Sequence, residues 1–168
     1  MPEWRLISNE HVITYQGFID VHKLYEFIDK WFKDHGYEVE RLETEEQDLP
    51  EGRQVIIDYR AVKKLTDYAA VGIWTGIKAF NLKPATVEVH GHKLNVFKGK
   101  VSVSFKPWLI TDVRERWQGM PLYYVLRSIL EKVLFKSHNS RFKDIARRDL
   151  ETVELEVKAF FNMKRFLQ

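Results

Sequence analysis

Hydrophobic positions along this chain change period three times. Residues 10–17 alternate, with Val12, Thr14 and Gln16 on one side and Ile13, Tyr15 and Gly17 on the other, which predicts a strand. Leu24, Phe27, Ile28, Trp31 and Phe32 then recur at helical spacing, behind an N-cap at Asp20 and ahead of a left-handed C-terminal glycine at Gly36. Alternation returns in six runs: residues 37–47, 53–65, 68–80, 86–90, 93–97 and 101–112. Turns are expected at residues 49–52, 63–67, 81–84, around Gly91 and at 98–100. Helical period resumes over residues 121–136, opened by Pro121, and over a terminal helix from about Arg141 to Leu167, with Ser137-His138-Asn139-Ser140 as the break. Phe142, Ile145, Ala146, Leu150, Val153, Val157, Phe160 and Phe161 form the stripe of that last helix.

Successive strands joined by short turns pair antiparallel, because parallel pairing needs a long crossover. The expected fold is α+β. A curved antiparallel sheet of about six to seven strands carries the long C-terminal helix across it, with an N-terminal helix and one extra helix before the last. All of it forms one domain over residues 1–168.

Composition supports a packed core: the chain is 45% hydrophobic and 14% aromatic. The absence of cysteine removes disulfides, thiolate metal sites and cysteine nucleophiles. No run of apolar residues is long enough to span a membrane and no signal-peptide pattern opens the chain, so a cytoplasmic location is expected. The net charge of +3 hides an uneven spread: residues 1–51 hold 13 acidic and 5 basic side chains, and residues 52–168 hold 11 acidic and 22 basic ones. Attraction between two faces of one domain explains this; so does a basic surface for an anionic partner. The densest positive stretch is Arg127, Lys132, Lys136, Arg141, Lys143, Arg147 and Arg148, a candidate contact for RNA or single-stranded nucleic acid.

A strand, a helical segment, six antiparallel strands and a long C-terminal helix resemble the helix-grip fold of the START and polyketide-cyclase-like superfamily. The resemblance is one of topology over nearly the whole chain. It implies a hydrophobic ligand held between the sheet and the C-terminal helix. Shorter phrases, His11-Val12-Ile13-Thr14, Lys63-Lys64-Leu65-Thr66-Asp67-Tyr68 and Pro121-Leu122-Tyr123-Tyr124, are similar to small archaeal proteins and imply no activity.

Gly72, Trp74 and Gly76 share one strand face. They read either as a bend whose bare backbone is covered by indole, or as a ligand floor with Tyr68 and Lys78 beside it and Tyr59 and Trp108 joining from neighbouring strands. His90-Gly91-His92 reads as a hairpin turn rather than a metal clip, because no third ligand is spaced to join it. The acidic run at Glu43, Glu45, Glu46, Asp48 and Glu51 reads as a solvated edge and lacks the glycine-centred loop of a calcium site. No serine sits on a glycine-flanked elbow, and no phosphate loop is present. The aromatic residues 117–124 read as an anchor for the helix that follows, or as a rim for a lipid or protein partner. The sum is a non-catalytic module for a hydrophobic or amphipathic small molecule, with no cofactor or metal. Nucleic-acid binding, protein interaction and an unrecognised enzyme are the alternatives.

Overall fold

The computed structural model describes residues 3–67, 69–111 and 135–165. Chain order is β1 (Glu3–Leu6), β2 (His11–Ile19), α1 (Val21–Asp34), β3 (Glu38–Leu49), β4 (Gly52–Lys64), β5 (Ala69–Val89), β6 (His92–Thr111) and α2 (Phe135–Arg165). The architecture is an α+β arrangement with a six-stranded antiparallel sheet, ordered β1-β6-β5-β4-β3, in which β2 also pairs with β6. β1 and β2 therefore lie end to end along one edge of β6, opposite residues 108–111 and 97–105 respectively.

The caps of α1 follow from local chemistry. Asp20 accepts hydrogen bonds from the His22 and Lys23 N–H groups, which have no partner within the helix. At the other end Gly36 adopts φ +79, and the Gly36 and Tyr37 N–H groups donate to Lys33 and Phe32 carbonyls. That is a Schellman closure, and only glycine takes its φ without strain.

Strand count is close to expectation, but the strands are distributed differently. The four runs between residues 68 and 112 merge into two long strands, and β1 is an addition that the pattern did not reveal. Residues 81–84 are a bulge, not a turn: Phe80 faces Lys100 and Lys83 faces Lys98, so Asn81 and Leu82 together oppose Gly99. Asn81 takes φ +56, a conformation asparagine tolerates better than most residues. Residues 98–100 accordingly remain in strand. A Cβ on Gly99 would sit 2.9 Å from the Phe80 carbonyl oxygen and 3.0 Å from that of Asn81. At the hairpin tip His90 and Gly91 both have positive φ, the two-residue turn that an antiparallel ribbon favours.

α2, described from Phe135 onward, continues unbroken through Ser137-His138-Asn139-Ser140, where a break was expected. The extra helix expected at residues 121–136, apart from its last residues, and the aromatic residues 117–124 lie outside the described residues.

One face of the sheet is packed. Tyr15, Val55, Ile57, Tyr59, Ala61, Ile73, Ile77, Val101, Val103 and Phe105 project there and meet Leu24, Ile28 and Phe32 of α1 and Leu150, Val153, Val157 and Phe161 of α2. Burial of this apolar surface is the main force that holds the layers together. A polar clasp supplements it: the buried Tyr37 hydroxyl donates to Asp149 Oδ2 at 2.7 Å, and Lys63 Nζ donates to the same oxygen at 3.2 Å. The Tyr37 hydroxyl is pushed above the ordinary tyrosine range by burial and by the carboxylate it serves. Acidic β3 is answered by β4, where Arg60 pairs with Glu40 and Arg53 with Asp48 and Glu46. Two arginines thus offset part of the acidic charge of β3 inside the sheet.

Candidate functional site

Alternation along β5 sends Val71, Ile73, Thr75 and Ile77 to the packed face and Gly72, Trp74, Gly76 and Lys78 to the other. α1 and α2 both pack on the first face, so the second, or outer, face has neither helix on it. Register then builds a site row by row. Trp74 stands between Arg60 of β4 and Lys106 of β6, Gly76 between Asp58 and Ser104, and Gly72 between Val62 and Trp108.

Three indoles cluster on this face. Trp74 meets Trp108 edge-on at 5.3 Å between ring centroids, and meets Trp4 at 5.0 Å, arrangements that the aromatic quadrupole favours. Trp4 belongs to β1, and no sequence motif announced it. The two glycines beside Trp74 differ in purpose. A Cβ on Gly72 would press on Ile110 at 3.2 Å and touch the Trp74 and Trp4 rings, so this glycine lets the rings lie on backbone. A Cβ on Gly76 would instead meet Asp58 Oδ1 at 2.9 Å and Ser104 Oγ at 3.0 Å. Two polar groups therefore lean over a bare floor.

That floor opens into a groove of about 590 Å³. Trp74 and Trp108 line it, with Lys78 and Lys106 supplying positive charge and Asp58 and Glu43 negative charge. Leu42, the extra residue where the β3–β4 register shifts, lines it as well. The indole N–H of Trp108 is buried without an acceptor among the described residues. Buried donors are rarely left in that state, because the lost hydration is not replaced. A second depression of about 370 Å³ lies beyond the indoles, lined by Trp4, Arg60, Glu40, Ala70 and Ile110.

The expected site residues separate accordingly. Trp74 and Trp108 come together, with Lys78, on the outer face. Tyr59 lines the same groove, but its ring does not join the indoles: it is opposite Thr75 and fully buried on the packed face against Tyr25 and Phe32. Burial pushes its hydroxyl well above the ordinary tyrosine range. Tyr68 lies outside the described residues. The layer between sheet and α2, where the resemblance to helix-grip proteins put a ligand, is occupied by core side chains such as Tyr15, Phe105, Val153 and Phe161. Tyr15 and Phe161 stack there with ring centroids 4.8 Å apart.

Of the basic stretch, Arg141, Arg147 and Arg148 are exposed on α2 and Lys143 is half-buried. Arg127 and Lys132 lie outside the described residues, and Lys136 is placed only as part of the α2 backbone. Glu151, Glu154 and Glu156 follow on the same helix, so the described surface of α2 is mixed in charge. Among the described residues, no group of three or more His, Asp or Glu side chains is placed to hold a metal ion, and no helix is long and apolar enough to cross a membrane. No protein-family model matches the chain, and no curated protein matches it in sequence.

Proposed function

We propose that the protein is a binding module for an amphipathic small molecule, held in the outer groove over Gly76 against Trp74 and Trp108. The observation that carries this reading is the groove itself: an aromatic wall beside a glycine floor, flanked by charges of both signs, with a buried indole N–H in need of an acceptor. Ligand sites combine apolar lining with a few placed polar groups in this way. Apolar parts of the ligand lie on the indoles, and its polar end meets Lys78 and Lys106 or Asp58.

The amphipathic anion anilinonaphthalene sulfonate is a direct probe. It binds the folded protein saturably at one site, with energy transfer from tryptophan, and Gly76→Val abolishes binding by filling the floor. Native mass spectrometry of protein purified gently from its host then gives the mass of the natural occupant. Dye binding that Gly76→Val leaves unchanged would defeat the reading.

The exposed Arg141, Arg147 and Arg148 support a second reading, contact with single-stranded nucleic acid along α2. It requires affinity for an oligonucleotide that falls steeply with salt.

A further inference from the structure

β6 contains lysines and no acidic residue, and β2, which pairs along one side of it, has no acidic residue either. On the other side β5 has a single carboxylate, Glu88, near the hairpin tip. Alternation sends Lys98, Lys100 and Lys106 to the outer face of β6, because Val101, Val103 and Phe105 take the packed one. Register adds two cations from β5: Lys83 is opposite Lys98, and Lys78 is opposite Ser102. None of these lysines forms an ion pair among the described residues. Phe80 stands among them, opposite Lys100 and 38% exposed, with no ring partner among the described residues. We propose that single-stranded RNA lies along this strip of the outer face, its phosphates on the lysines and a base stacked on Phe80.

A row of unpaired lysines suits a polyanion, whose condensed counterions are released when its phosphates are neutralised. An exposed ring beside them supplies the other half of single-strand recognition, because every base has a face that stacks on an aromatic side chain. Trp4, 39% exposed and opposite Ile110 of β6, offers a second ring beyond Lys106. From Lys98 to Lys106 the strip is roughly 27 Å long. That is room for about four nucleotides, the short end of sites on sheet-based single-strand binders. Ser102, Ser104 and Thr14 lie between the lysines, with Thr14 opposite Ser102 across β2 and β6. Their hydroxyls can donate to and accept from a ribose 2′-OH, the group that separates RNA from DNA.

The carboxylates that line the groove are Asp58 on β4, Glu43 on β3 and Glu10 ahead of β2. Their repulsion keeps the polymer on β5 and β6. The strip shares Lys78 and Lys106 with the groove, but it needs no occupant there. Lys83, Lys98, Lys100 and Phe80 lie outside the groove lining. The strip also lies on the opposite face of the sheet from α2, whose exposed arginines define the other nucleic-acid surface.

Fluorescence anisotropy of a labelled single-stranded RNA of about 12 nucleotides tests the proposal on the full chain. Binding is expected at about 50 mM salt, and the logarithm of affinity should fall against that of salt with a slope of about −3.5 for five phosphate contacts. Lys98→Gln combined with Lys100→Gln should flatten that slope by about 1.4 and weaken binding by about tenfold or more. Phe80→Ala should weaken binding by about fivefold or more and leave the slope unchanged, which separates stacking from charge. All three side chains are exposed, so these variants keep the fold. DNA of the same sequence should bind several-fold more weakly. No binding of RNA, equal affinity for DNA, or affinity that depends on Arg147 and Arg148 but not on Lys98, Lys100 and Phe80 would overturn the proposal. Dye binding in the groove depends on Gly76 and not on these residues, so the two readings fail separately.

Discussion

Replacement of Gly99 by alanine tests the central difference between the pattern of the chain and its structure. A turn at residues 98–100 would leave room for a methyl group. In the continuous strand the new Cβ meets the Phe80 and Asn81 carbonyl oxygens at 2.9 and 3.0 Å, and Leu82 Cδ2 at 2.9 Å. Ordinary contact begins near 3.4 Å, so each neighbour must withdraw by about half an ångström. Leu82 is 2% exposed and can move little, and both oxygens belong to the backbone of the bulge. Overpacking of this kind costs about 1–3 kcal/mol. Loss of chain entropy in the unfolded state returns ~0.4–1 kcal/mol, because the φ at Gly99 is open to alanine. The net destabilisation lies between about 0 and 2.6 kcal/mol with its centre at about 1.3, which urea denaturation reads as a midpoint lowered by roughly 0.6 M at an m-value near 2 kcal/mol/M. Gly91→Asn is the internal contrast: nothing lies within 4 Å of a Cβ there, so its only cost is the backbone strain of φ +80, which asparagine bears better than most residues, and no steric clash adds to it. A Gly99→Ala midpoint equal to or above wild type would refute the steric argument, and with it the bulge that places residues 83–98 in a continuous ribbon.

Two other outcomes follow from the buried tyrosines. Tyr37→Phe removes the hydroxyl that serves Asp149 while the ring and Lys63 remain, and should lower stability by about 1.5–3 kcal/mol in the same urea assay. Alkali should act through Tyr37 and Tyr59, whose hydroxyls burial holds above the ordinary value near 10. Their contribution is intact below pH 10 and declines as pH rises above it, because only the unfolded chain then ionises them, by about 1.4 kcal/mol per pH unit for each tyrosine. Denaturation midpoints measured from pH 9 upward should fall with a slope that Tyr37→Phe or Tyr59→Phe reduces by about half; an unchanged slope in both would refute the assignment.

Local signals in the sequence predicted what local physics governs. The Asp20 and Gly36 caps, the α1 stripe and the His90-Gly91 turn all depend on residues within a few positions of one another, and all stand as expected. Within a strand the two-residue period also sorted faces correctly, for Val55, Ile57, Tyr59 and Ala61 and for Gly72, Trp74 and Gly76. What period two leaves open is which face of one strand matches which face of the next. Tyr59 and Trp74 were grouped together, but register sets Tyr59 opposite Thr75 and so behind the sheet from Trp74. The bulge at Asn81 misled for a similar reason: a break in alternation at asparagine and proline has the same signature as a turn. Trp4 was out of reach, since it meets Trp74 only through the pairing of β1 and β5 with β6, far along the chain.

The place of β6 has a consequence for how the chain reaches this state. β5 is its hairpin neighbour and can zip onto it from the His90-Gly91 tip without a long search. β2 must wait, although it leaves the ribosome early: Ile13 finds Val103 and Tyr15 finds Val101 only after nearly the whole sheet has been synthesised. Loop closure over such a span is slow, and it sets the pace of folding in sheets dominated by distant contacts. Until then Ile13, Tyr15 and Ile19 form an unpaired, apolar and sticky strand in the nascent chain. The interval before β6 emerges is therefore the period in which this protein is most exposed to aggregation and most in need of a chaperone.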